Sequence, residues 1–161
     1  MARTITNIQK RHYRVLHREP AAFDSPVDPK TSAANFATWL ATFTELGYCR
    51  DKTIKMTIES SEPEVLDTGK EKQMGYNGHL EGILLQSEEG DYTAYEAIEN
   101  VEQDILLYSE ITGMCNWLGS AILIFKESLS SGEVEVVPFE YNANDLATKE
   151  AFRTKFEEPT T

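Results

Sequence analysis

The spacing of apolar residues changes several times along the chain, and each change marks an element. Phe36, Trp39, Leu40, Phe43 and Leu46 recur at helical spacing, Thr31 or Ser32 can cap them, and Gly47 stands where a helix would end. This predicts a helix over 33–46 whose aromatic stripe is core. Period two follows: Ile54, Met56 and Ile58 alternate with Lys55, Thr57 and Glu59, the pattern of a half-buried strand. A second strand is expected over 74–86, where Gly75, Gly78 and Gly82 point to bulges, bends or close approach by another backbone. Tyr95, Ile98 and Val101 predict a short helix within 92–103. Strands are expected over 105–109, 115–126 and 133–141, and a last short helix from Asp145 to Phe152. Ala121-Ile-Leu-Ile-Phe125 is apolar on both faces and reads as a central strand, and residues 157–161 read as a tail.

Between these segments lie polar stretches. Residues 1–9 read as an arm, and residues 11–18 have no strong period, although Tyr13, Val15 and His17 could share a strand face. Residues 19–29 carry three prolines and read as an extended loop. Residues 60–72 form a long charged loop, and loops of that length are often functional. Glu88-Glu-Gly-Asp91 and Ser130-Ser-Gly132 are turn signals. The expected fold is α+β: a mainly antiparallel β-sandwich or curved sheet with two or three short helices at its edge, in a single domain of residues 1–161.

At 161 residues the chain is long enough to bury a core without disulfides or metals. A net charge of −12 supplies solubility and opposes gripping nucleic acid, because phosphate binding is driven by Lys and Arg displacing counterions. The charge is divided. Residues 1–18 hold Arg3, Lys10, Arg11, Arg14 and Arg18 without a carboxylate, whereas Glu and Asp dominate from Glu59 onward. A basic arm on an acidic body fits either head-to-tail pairing between copies or contact with acidic partners. Cys49 and Cys115 form no CxxC motif, and two buried free thiols are the expected outcome. No apolar leader and no run of about twenty apolar residues occurs, so the expectation is synthesis in a cytoplasm and no membrane partner.

No catalytic motif emerges. Gly119-Ser120 lacks the context of a nucleophile elbow, and His12, His17 and His79 form no HExxH. Few nitrogen or sulfur ligands are on offer for zinc. Glu62-Pro-Glu64 and Glu88-Glu-Gly-Asp91 lack the oxygen spacing of a calcium loop, and the glycines of 69–82 form no phosphate-binding loop. The expectation is a non-enzyme with no catalytic residue, cofactor or metal. A soluble ligand-binding β domain is a separate possibility, with Phe36, Trp39, Phe43, Tyr76 and Trp117 lining a pocket; core packing explains the same residues.

An ordered set of features over 43–86 resembles the tail-tube (major tail) proteins of long-tailed bacteriophages. Phe43-Thr-Glu-Leu-Gly-Tyr48 is similar to an aromatic-x-x-Leu-Gly-Tyr step, followed by a polar turn, the alternating strand 53–60 and a charged loop. Gly78-His-Leu-Glu-Gly-Ile-Leu-Leu85 is similar to the returning strand, and a helix near 93–103 and a hairpin containing Val136-Val-Pro-Phe139 keep the same order. The basic N-terminal stretch and the helix at 33–46 depart from a typical short tube subunit. The resemblance implies a virion structural protein whose rings, commonly hexameric, stack into a hollow tail tube. Its partners would be its own copies and other tail proteins. DNA would pass through the channel without specific binding, and assembly would take place in the host cytoplasm. On that basis Arg11, Arg14 and Arg18 are expected to meet Glu62, Glu64 and Asp67 of a neighbouring ring, and Glu59, Glu81, Glu133 and Glu135 to line the channel. The alternative within the same machinery is a tail terminator, connector or baseplate protein.

Overall fold

Alternation in β1 (Arg14–Arg18) sends Val15 to one side of a sheet and Leu16 and Arg18 to the other, and both sides are buried. The computed structural model describes residues 13–49, 53–61, 63–72, 75–85, 93–126 and 136–161. Among these, the chain is built mostly of antiparallel β-sheet with two short helices.

The larger sheet has five strands in the order β11-β8-β7-β1-β2. They are β1, β2 (Thr44–Tyr48), β7 (Glu102–Tyr108), β8 (Met114–Ile122) and β11 (Thr154–Glu157). The second sheet has the order β3-β6-β10-β9, from β3 (Lys55–Ser60), β6 (Tyr76–Leu85), β9 (Ile124–Phe125) and β10 (Val136–Leu146). Residues of both sheets share one apolar cluster, with Val15, Ile105, Leu107 and Leu118 from the first and Leu80, Leu84, Val137 and Phe139 from the second. The helix α2 (Thr93–Ile98) adds Tyr95 and Ile98 to it.

A second apolar cluster lies on the opposite face of the five-stranded sheet. There the helix α1 (Ala33–Leu40) and the preceding loop bring Phe23, Phe36 and Trp39 against Leu16, Leu106, Tyr108, Cys115 and Phe156. Ser32 caps α1 by accepting from the Asn35 amide at 3.1 Å. The chain end is tied to the same place, since the Ala33 amide donates to the Thr161 carbonyl at 3.1 Å.

Several boundaries differ from expectation. α1 covers a sheet face, not an edge, and ends at Leu40; Phe43 follows in a turn and Leu46 belongs to β2, so the helical spacing outran the helix. Both still point into the core, because side-chain spacing reports burial and not hydrogen bonding. Gly47 lies within β2 and does not end the helix. Arg14–Arg18 is a strand between β7 and β2 and not part of a free arm. Residues 145–152 form no helix: β10 runs through Leu146 and turns follow. Glu157, expected in the tail, is the last residue of β11. The apolar run 121–125 is not central. It passes from one sheet to the other, with Ala121 and Leu123 buried but Ile122 and Ile124 exposed. The expected loop at 60–72 contains a small hairpin, β4 (Glu64–Val65) with β5 (Glu71–Lys72). The turn signals at 88–91 and 130–132 lie outside the described residues.

Candidate functional site

The register of the four-stranded sheet separates its two faces cleanly. One face carries Met56, Leu80 and Tyr141 into the shared core; the other carries Lys55 opposite Glu81, Glu81 opposite Glu140, and Thr57 opposite His79, itself opposite Asn142. Glu59 sits opposite Asn77 on this polar face. Two of the carboxylates expected to line a channel, Glu59 and Glu81, are thus on one face of one sheet. Glu140 joins them through its pairing with Glu81, a position that the expected hairpin arm 133–141 does not assign because local pattern carries no register. Glu133 and Glu135 lie outside the described residues.

Positive charge is interleaved with these carboxylates. Lys126 lies 3.8 Å from Glu140, and Lys55 stands beside Glu81 in register. His79 hydrogen-bonds Asn142 through Nδ1 and approaches Glu81 at 3.4 Å through Nε2. The hydrogen bond to Asn142, with Glu81 nearby, holds the imidazole above its ordinary pKa against the opposing effect of burial.

Two of the three arginines expected at a contact between rings, Arg14 and Arg18, are engaged within the chain. Arg18 turns inward, with only 6% of its side chain exposed, and Nε donates to Asp104 at 3.1 Å. Its other nitrogens donate to the Ser25 and Ala22 carbonyls at 2.8 and 3.0 Å and to Thr42 Oγ1 at 3.0 Å. The guanidinium lies 4.6 Å from the Phe43 ring centre, a cation–π contact. Asp104 also accepts from the Ala21 and Ser120 amides, each at 3.1 Å. Arg18 therefore has no free charge for a neighbouring copy. Its strand position beside Leu16, opposite an aromatic stripe, was the available signal for a buried role. Arg14 pairs with Glu45 at 3.2 Å and with Glu110, all on the same chain. Arg11 and Glu62 lie outside the described residues, while Glu64 and Asp67 are exposed on and beside the β4–β5 hairpin.

The aromatic residues weighed as a ligand platform are instead packing. Trp39 lies 4.8 Å from Phe43 and 5.7 Å from Phe23, and its Nε1 donates to the Phe23 carbonyl at 2.7 Å. Tyr76 is elsewhere, beneath Lys149. Cys49 and Cys115 are buried free thiols. Burial raises both pKa values, that of Cys115 to about 12, so neither thiol is a ready nucleophile.

Among the described residues no three of His, Cys, Asp or Glu gather into a metal-binding group, and no helix is long and apolar enough to cross a membrane. No protein-family model matches this chain, and no curated protein matches it either.

Proposed function

We propose that this chain is a self-assembling structural subunit of the tail-tube kind, forming stacked rings around a channel through which DNA passes, and that it carries out no catalysis. The observation that supports this best is the polar face of the four-stranded sheet, which carries Glu59, Glu81 and Glu140 on a chain of net charge −12. Turned toward a bore on a chain of this net charge, such a face lacks the excess of Lys and Arg that gripping phosphate needs, and DNA can slide past it. The two sheets with their shared core are read as a sandwich whose polar outer face is luminal. Among the described residues β3 is an edge strand of its sheet, and joining sheets across copies is one way to satisfy such an edge. Subunits of this kind work in a virion tail after assembly in a bacterial cytoplasm.

A second reading, a tail terminator, connector or baseplate piece, is favoured by α1, whose cover over the five-stranded sheet departs from a short tube subunit. Copy number separates the two, since a tube subunit is abundant in purified particles and a connector is scarce. The primary test is negative-stain microscopy and light scattering of the purified chain at high concentration. Rings or tubes are expected, and a monomer at every concentration defeats the proposal.

A further inference from the structure

The gap between the two sheets opens at one side into a groove of about 520 Å³, within the range of ligand and peptide sites. Its apolar wall includes Tyr13, Ile54, Met56, Ile58 and Leu107. Its rim carries Lys149, Arg153 and Lys155. On a chain with 27 carboxylates and 15 Lys and Arg, these three cations have no carboxylate within ion-pair distance among the described residues. The Arg153 guanidinium donates to Asn116 Oδ1 at 2.9 Å, and Lys149 rests over the Tyr76 ring. An apolar trough with an unneutralised cationic rim fits a partner that is apolar at its tip and acidic at its flanks.

The same chain displays such a tip. At the β4–β5 hairpin, Val65 is 70% exposed, the highest value among the large hydrophobics of the described residues, and its neighbour Leu66 is 42% exposed; Glu64 and Asp67 flank the pair in sequence. The Leu66 amide donates to the Lys70 carbonyl at 2.8 Å, and Gly69 takes a φ of +79°, which closes the turn and presents the pair outward. Within one copy Val65 and Leu66 stand in solvent.

We infer that the β4–β5 hairpin of one copy docks in the groove of the next, with Val65 and Leu66 on the apolar wall and Glu64 and Asp67 against Lys149, Arg153 and Lys155. This rests on the self-assembly reading and names the two surfaces that would carry it. The contact joins two different surfaces, so it is head-to-tail and propagates as a ring or a filament.

Charge swapping tests it. Lys149→Glu/Arg153→Glu/Lys155→Glu and Glu64→Lys/Asp67→Lys are each expected to weaken self-association about tenfold or more by sedimentation, and mixing the two variants restores it. Far-UV circular dichroism verifies that each variant is folded. As a second measurement, a Leu66→Cys copy mixed with an Ile58→Cys copy is expected to form an intermolecular disulfide that the groove variant abolishes. If the wild-type chain associates but the swapped variants associate equally well and no cross-link forms, the hairpin–groove contact is overturned while self-assembly stands. A wild-type chain that stays monomeric overturns both. Saturable binding of laurate that needs the three cations, with association unaffected, gives the groove to a small anionic amphiphile and also overturns the contact.

Discussion

Arg18 directs its guanidinium into four hydrogen bonds and two aromatic rings, and Asp104 answers it from β7. Because both charges are desolvated, removing one leaves the other uncompensated, which costs far more than loss of a surface pair. Arg18→Ala is therefore expected to destabilise the fold by about 3–5 kcal/mol, read as a lower urea midpoint. Arg14→Ala, whose partners Glu45 and Glu110 are partly exposed, is expected to shift that midpoint much less. His79 sits at the other extreme, on the polar face with about a third of its side chain exposed. Its pKa in the fold is raised above the ordinary 6.5, so its protonated form is the one the fold favours. The stabilisation is full below pH 6.5 and fades as pH rises through the folded value. Proton NMR is expected to place the His79 midpoint above that of the urea-unfolded chain, and Asn142→Ala to bring the two together.

At the scale of elements, β6 is where glycine matters most. A Cβ at Gly78 would lie 2.3 Å from the Phe152 ring, and one at Gly82 would lie 2.8 Å from Phe139. Phe152 is buried and stacks on Tyr141 at 5.6 Å, so β6 needs a side-chain gap where the turn after β10 folds back. The approaching groups at these two glycines are aromatic rings, whereas at Gly75 the expected backbone approach is found, with the Leu146 carbonyl oxygen 2.9 Å from a Cβ position. Gly78→Ala is expected to cost about 1–3 kcal/mol by forcing Phe152 out of place, visible in thermal melts and in the near-UV dichroism of Tyr141. Phe152→Ala combined with Gly78→Ala is expected to cost less than the sum of the single changes, since the clash then disappears.

For the whole molecule, the decisive quantity is how negative charge is distributed over the surface. Replacing Glu59, Glu81 and Glu140 by Lys reverses three charges on one face and moves the net charge from −12 to −6. The wild-type chain is expected not to retain duplex DNA in a filter-binding assay at low salt, and the triple variant to retain it. That retention is expected to vanish as salt rises, because few phosphates are contacted and their counterions are easily restored. Retention of DNA by the wild-type chain contradicts the channel role of this face.

Much of the architecture was legible locally. Alternation marked β3 and its polar face, a glycine-bearing strand was expected where β6 lies, and the aromatic stripe marked α1. Local pattern could not tell where a helix yields to a strand that keeps burying residues, as at Phe43 and Leu46, nor that the apolar run 121–125 changes sheets at Leu123. It likewise classed Arg18 with Arg14 as one basic stretch, since a charge has the same local signature whether it meets water or Asp104. The sequence by itself determined the strand-rich composition, the acidic balance and which residues alternate. Only the tertiary structure decided that Arg18 is internal, that Glu140 joins Glu59 and Glu81, and that three cations gather on one groove. These depend on register and on contacts between residues distant in the chain, which no local period encodes.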